Sequence, residues 1–162
     1  MAVSLKNTLN LKSDSHNFWM LEAIKESKKS LLKGEVPVGS IIVSNNKIIG
    51  RGHNQPIFKN DPTSHAEIEA IRDAALKINN YRLTKANIYV TLEPCSMCYG
   101  ALVHARISNI FFGARDYKTG VCGSCEDHSQ KKYFNHKPII TGQIMENECS
   151  KILKDFFKSK RV

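Results

Sequence analysis

Two short segments, His65-Ala66-Glu67 and Pro94-Cys95-Ser96-Met97-Cys98, constrain the fold more than any other feature of the chain. Each follows breaker residues and opens a stretch with helical spacing, so both are predicted at helix N-termini. The helix dipole and free N–H groups favour anions there, which draws Cys95 and Cys98 towards the thiolate. Cys-x-x-Cys spacing lets both sulfurs reach one tetrahedral ion, with the His65 imidazole as third ligand. The chain must therefore fold so that two helix starts, separated by a strand, meet at one point.

The hydrophobic periodicity supplies elements that can do this. Helices are predicted over His16 to Lys33 (apolar Phe18, Leu21, Ile24, Leu31 and Leu32), His65 to Ile78 (burying Ile68, Ile71, Ala75 and Ile78), Cys95 to Ala105 and Ile144 to Phe157. Gly39–Val43 and Lys47–Gly50 read as a hairpin around Ser44-Asn45-Asn46, and Ala86–Leu92, Asn109–Gly113 and Ile139–Thr141 as further strands. A hairpin followed by alternating helix and strand predicts an α/β domain with a mixed central sheet. At 162 residues, with 41% hydrophobic, the chain is expected to form one domain over residues 16–162 behind a flexible tail, residues 1–15.

The longest aliphatic run, Ile41-Ile42-Val43, is far too short to span a bilayer, so no membrane partner is expected. The polar first fifteen residues have no apolar core of a secretory signal, which implies a reducing cytoplasm. Five Cys, an odd number, exclude a complete disulfide framework and read as metal ligands or free thiols. Lys and Arg outnumber Asp and Glu 24 to 15, for a formal charge of +9. Lys151, Lys154, Lys158, Lys160 and Arg161 crowd the C-terminus. Such a basic field suits a polyanion, since each phosphate contact releases counterions.

Three protein ligands leave a fourth position open, the mark of a catalytic rather than a structural zinc. Glu67, two residues beyond His65, is then the candidate proton shuttle. A rival Cys₄ site would pair Cys95-x-x-Cys98 with Cys122-Gly-Ser-Cys125. That gap would hold a helix and a strand, and the site would leave His65 and Glu67 without a role. Cys122 and Cys125 are read as ordinary thiols in a Gly/Ser loop. At the C-terminus, Met145, Cys149, Ile152, Leu153 and Phe156 share one helical stripe, so Phe156 can be core while Phe157 is exposed.

H-x-E followed by P-C-x-x-C is the signature of zinc nucleobase deaminases. With Glu35-Val36-Pro37-Val38-Gly39, His53-Asn54-Gln55-Pro56, Asp61-Pro62-Thr63-Ser64, Phe112–Gly120, Asn135-His136 and Asp155-Phe156-Phe157, the chain resembles the bacterial tRNA-specific adenosine deaminases, within the cytidine-deaminase superfamily. The likeness runs from Glu22 to Arg161. It implies a three-layer α/β/α sandwich and one zinc per chain on His65, Cys95 and Cys98, with Glu67 as general acid and base and no organic cofactor. It further implies that Asn54 holds the flipped nucleotide and that Asp116 and Asn135 contact the tRNA anticodon loop, with Arg115, Lys118, Phe156 and the basic tail nearby. The implied activity is deamination of the wobble adenosine of a tRNA anticodon to inosine, releasing ammonia, by a cytoplasmic homodimer whose two subunits both touch the tRNA. Two departures stand out: the Cys122 and Cys125 pair, and Gln55 where the family often has a basic residue.

Two other functions fit parts of the pattern. A small-molecule deaminase acting on guanine or cytosine would share the zinc segments but has no use for the basic C-terminal helix. A zinc-stabilised RNA-binding module would have no use for Glu67.

Overall fold

The apolar residues of the strands alternate between two separate cores. Ile41 and Val43, with Tyr89 and Phe111, pack into one cluster, while Ile42, Ile88, Val90, Ile110 and Phe112 pack into the other. Successive strand side chains point to opposite faces, so a sheet with this pattern needs helices on both sides. The structure is a computed structural model and describes residues 15–161. The expected tail falls almost wholly on residues 1–14, which lie outside the described residues.

The elements follow in the order α1 (His16–Leu32), β1 (Gly39–Ser44), β2 (Lys47–His53), α2 (Pro56–Lys59), α3 (Ala66–Ile78), β3 (Asn87–Leu92), α4 (Ser96–His104), β4 (Asn109–Ala114), β5 (Ile139–Thr141) and α5 (Glu146–Lys160). The sheet order is β2-β1-β3-β4-β5. β1 pairs antiparallel with β2 and β3, whereas β3–β4 and β4–β5 are parallel, giving the mixed sheet expected. Residues of α1 and α5 fill one face of the sheet and residues of α3 and α4 the other, the three-layer α/β/α sandwich. Asn45 and Asn46 turn the β1–β2 hairpin, both at positive φ (48° and 59°), as a tight two-residue turn requires. Among the described residues, no helix is long and apolar enough to cross a membrane.

The sequence pattern misjudged two helix faces. In α1 the buried residues are Trp19, Met20, Ala23, Ile24, Glu26, Ser27 and Ser30, while Leu21, Leu31 and Leu32 are exposed. In α3 the buried positions are Ala66, Glu67, Glu69, Ala70 and Ala74; Ile68, Ile71 and Ala75 are partly covered and Ile78 is exposed. Both helices press directly on strand backbone, where bulk is excluded. A Cβ at Gly39 would lie 2.1 Å from the carbonyl oxygen of Ala23, one at Gly50 2.5 Å from that of Ala70, and one at Gly52 2.2 Å from that of Ala66. Size, not hydrophobicity, selects the residues at such contacts. β2 also runs three residues beyond its expected end, to His53, past a bulge opposite Ile42 and Val43.

Candidate metal centre and substrate pocket

The loop before α3 is locked from within. Asp61 Oδ1 accepts hydrogen bonds from Thr63 N (2.9 Å) and Oγ1 (2.7 Å), Ser64 N donates to Asp61 O (3.1 Å), and Gln55 N donates to Ser64 O (3.0 Å). His65 is the residue that precedes α3, and Cys95 holds the same position before α4, with Cys98 in the helix's first turn. Only Glu93 and Pro94 separate Cys95 from β3, so the triad gathers beyond the carboxyl end of a parallel strand, where open α/β sheets bind their ligands.

His65 Nδ1 lies 3.7 Å from Cys95 Sγ and 3.6 Å from Cys98 Sγ, and one ligand atom from each of the three lies within 4.8 Å of the others. This group can hold a metal ion, and it is the one such group of three found among the described residues. Cys122 is buried and Cys125 exposed, neither belonging to it.

The three side chains and Glu67 shift one another's protonation through hydrogen bonds, charge and burial. The hydrogen bond from Cys98, reinforced by His65, holds the Cys95 thiol down at about 4, against 9.0 ordinarily. The Cys98 thiol is correspondingly pushed up, first by that shared bond with Cys95 and then by burial. The Cys95 hydrogen bond raises His65. Glu67 is buried, and burial pushes its carboxyl up from 4.5 to about 7.

A pocket of about 220 Å³ opens at this point, with Val36, Asn54, Glu67, Leu92, Asp116 and Thr119 in its lining. Next to it, a groove of about 470 Å³ shares Val36, Leu92, Asp116 and Thr119 and extends to Arg115, Lys118 and Phe157. A third, lined by Lys118, Lys154, Phe157, Lys158 and Arg161, continues along α5.

Not every residue implied by the resemblance faces the pocket. Asn54 does, but its Oδ1 accepts the Ala66 N–H at 2.9 Å, closing the start of α3. The carboxylate of Asp116 is engaged in its own turn, accepting from Lys118 N (3.0 Å), Thr119 N (3.2 Å) and Thr119 Oγ1 (2.8 Å). Lys118 is exposed on the groove. Asn135 lies elsewhere: its Oδ1 accepts from Arg106, just past the far end of α4. Phe156 is packed away at 8% exposure, and Phe157, at 46%, presents the available ring.

Sequence reasoning missed Glu93. It is 2% exposed, lines the same pocket and accepts three backbone hydrogen bonds. An acid placed directly after a strand, two residues ahead of a ligand, was the available signal.

The family model described as MafB19-like deaminase matches residues 14–161. A tRNA-specific adenosine deaminase of Buchnera aphidicola is 47% identical over 150 residues, covering 91% of each chain. The chain belongs to the tRNA-specific adenosine deaminase family. Its fold is that of the family: a solved tRNA:A34 deaminase, studied for A-to-I editing at the wobble position of transfer RNA, superposes with a TM-score of 0.81 at 36% identity, covering 83% of this chain and 98% of that one. A guanine deaminase from Nitrosomonas europaea (TM-score 0.75, covering 96% of this chain and 95% of that one) is only 15% identical and shares the fold alone.

Proposed function

We propose that this protein hydrolytically deaminates adenosine to inosine at the wobble position of a tRNA anticodon, releasing ammonia. The observation that carries this reading is the convergence of His65, Cys95 and Cys98 on one point, with Glu67 buried in the adjoining pocket. Zinc fits these ligands. Bonds of about 2.3 Å to sulfur and about 2.0 Å to nitrogen, at a tetrahedral angle, set N and S about 3.5 Å apart. The N–S distances here are 3.6 and 3.7 Å. When bound, zinc supplies Lewis acidity and an activated water at neutral pH.

The chain's own residues do the rest. Glu67 takes a proton from the attacking water and passes it to N1 of the adenine ring. It then takes the proton of the new C6 hydroxyl and passes it to the amino group, which leaves as ammonia and leaves the C6 carbonyl of inosine. Asn54, held by the Ala66 N–H, turns its amide NH₂ to the base. Val36 and Leu92 exclude water from the faces of the ring. An adenine stacked in a duplex cannot enter such a pocket, whereas an anticodon-loop base can be splayed out. The basic groove along α5 suits the phosphates beside it, and the exposed Phe157 offers a stacking face. In this reading the enzyme works in the cytoplasm as a homodimer, and a tRNA that also meets the second subunit gives Asn135 its contact.

The test is to incubate purified protein with an anticodon stem-loop carrying a wobble adenosine and, separately, with free guanine and cytosine. Inosine and ammonia are expected from the stem-loop alone. Ammonia from a free base, with the stem-loop untouched, would instead make it a small-molecule deaminase.

A further inference from the structure

Glu93 has a buried carboxyl group whose hydrogen bonds, among the described residues, all come from backbone. Oε2 accepts from Asp116 N at 3.0 Å, and Oε1 accepts from Cys122 N at 2.9 Å and Ser124 N at 3.1 Å. Burying a carboxylate is costly, and it persists where several donors compensate it. Neighbouring bonds run between the same two segments: Glu93 N donates to Ala114 O (2.8 Å) and Val121 N to Pro94 O (3.0 Å). The loop from Asp116 to Ser124 is thus tied to the two residues directly ahead of Cys95. This loop supplies the Asp116 and Thr119 wall of the pocket.

Gly120 is shaped to the clasp. A Cβ there would lie 2.5 Å from the Glu93 carboxyl carbon, 2.6 Å from its Oε2 and 2.5 Å from the carbonyl oxygen of Asp116. No larger residue can occupy this position while the carboxylate holds the loop.

We propose that Glu93 is a positioning residue, whose carboxylate clamps the 116–124 loop and so sets the distance between the pocket wall and the His65–Cys95–Cys98 group. The proposal rests on the function inferred above. Three simultaneous bonds to one side chain admit a single loop arrangement. A glutamine of the same size offers one acceptor oxygen and turns an NH₂ towards a backbone donor, so at least one buried N–H goes unpaired.

Glu93→Gln is compared with wild type by steady-state kinetics on the stem-loop, amide hydrogen exchange and metal analysis. We expect KM to rise about tenfold with kcat nearly unchanged, the pattern of lost binding rather than lost chemistry. Exchange should accelerate over residues 116–124, with the sheet unaffected and metal retained. Gly120→Ala leaves Glu93 in place but prises the clamp from the other side. It should reproduce both changes, and it serves alone if Glu93→Gln does not fold. Unchanged exchange in that loop, unchanged KM, a fall confined to kcat, or metal loss would each overturn the proposal. Should the wild type leave the stem-loop unreacted, the inferred function falls. Loop exchange and stem-loop affinity then still decide the case of Glu93.

Discussion

Asn54 Oδ1 accepts the backbone N–H of Ala66 at 2.9 Å, so the side chain that faces the pocket also closes the helix that begins one residue after His65. Asn54 is itself fixed at both backbone atoms: its N–H donates to Val38 O (3.1 Å) and its carbonyl accepts from Ser30 Oγ (2.8 Å). Asn54→Ala removes the acceptor and should cost about 1 kcal/mol, lowering Tm by about 2–4 °C for a chain of this size. Asn54→Asp keeps the acceptor but loses the amide donors, so its Tm should recover while turnover stays low. Thermal melts and turnover measured side by side check this; an alanine variant that melts like wild type refutes the closing role.

Glu67 and Cys95 should separate cleanly in metal analysis. Glu67→Gln removes a proton carrier but no ligand, so one zinc per chain is retained while turnover falls by about 10²–10⁴-fold. Cys95→Ala should lose zinc and melt lower, because bound metal stabilises the folded state by linkage. A Cys122→Ser/Cys125→Ser double variant should keep its zinc. Zinc lost from Glu67→Gln would make that residue a ligand and end the proton-carrier role.

The adjacent phenylalanines of α5 should behave oppositely. Phe156 is buried, and its replacement by Ala should cost about 3–5 kcal/mol of stability. Phe157 is half exposed on the groove, and its replacement should leave Tm unchanged while weakening stem-loop binding by about 1–3 kcal/mol. Denaturant melts and binding titrations of both variants distinguish the two; a Phe157→Ala protein that binds normally removes the ring from the RNA path.

Glu69 links stability to pH. Burial works to raise its carboxyl, but Lys59 (2.5 Å), Ser64 Oγ (2.8 Å) and Arg72 (3.3 Å) outweigh this and hold it below its ordinary 4.5. The folded state therefore favours the ionised form. Its contribution is complete above about pH 4.5, the unfolded value, and is lost as pH falls through the lower folded value. Wild type should be more stable than Glu69→Gln at neutral pH, with the difference vanishing in acid. A difference that grows on acidification would contradict the shift.

The metal triangle was legible because its chemistry is carried by residue type and spacing, and two of its ligands lie in one helical turn. The strands were legible because Ile41 to Val43 and Ile88 to Val90 belong to both cores and leave no polar face. The buried faces of α1 and α3 were not, because periodicity weights the large apolar side chains. Leu31 and Leu32 scored where Ser27 and Ser30 do the packing. Glu93, the closing bond of Asn54 and the self-contained turn of Asp116 escaped for another reason: each involves hydrogen bonds to backbone, and backbone partners leave no mark in a sequence.

The glycines of β2 determine where the site's tolerance to change lies. Gly50 and Gly52 let α3 rest on the strand through bare backbone, with no intervening side chain able to adjust its rotamer. The strand thus acts as a fixed spacer beneath Ala66, and any added atom at Gly52 must lift the helix at the end where His65 stands. A shift of a few tenths of an ångström there goes directly into the separation of the imidazole from two sulfurs anchored on a different helix. Substitutions at a glycine with no chemical function should therefore detune metal affinity in small, graded steps, whereas changes at the ligands themselves can only abolish it.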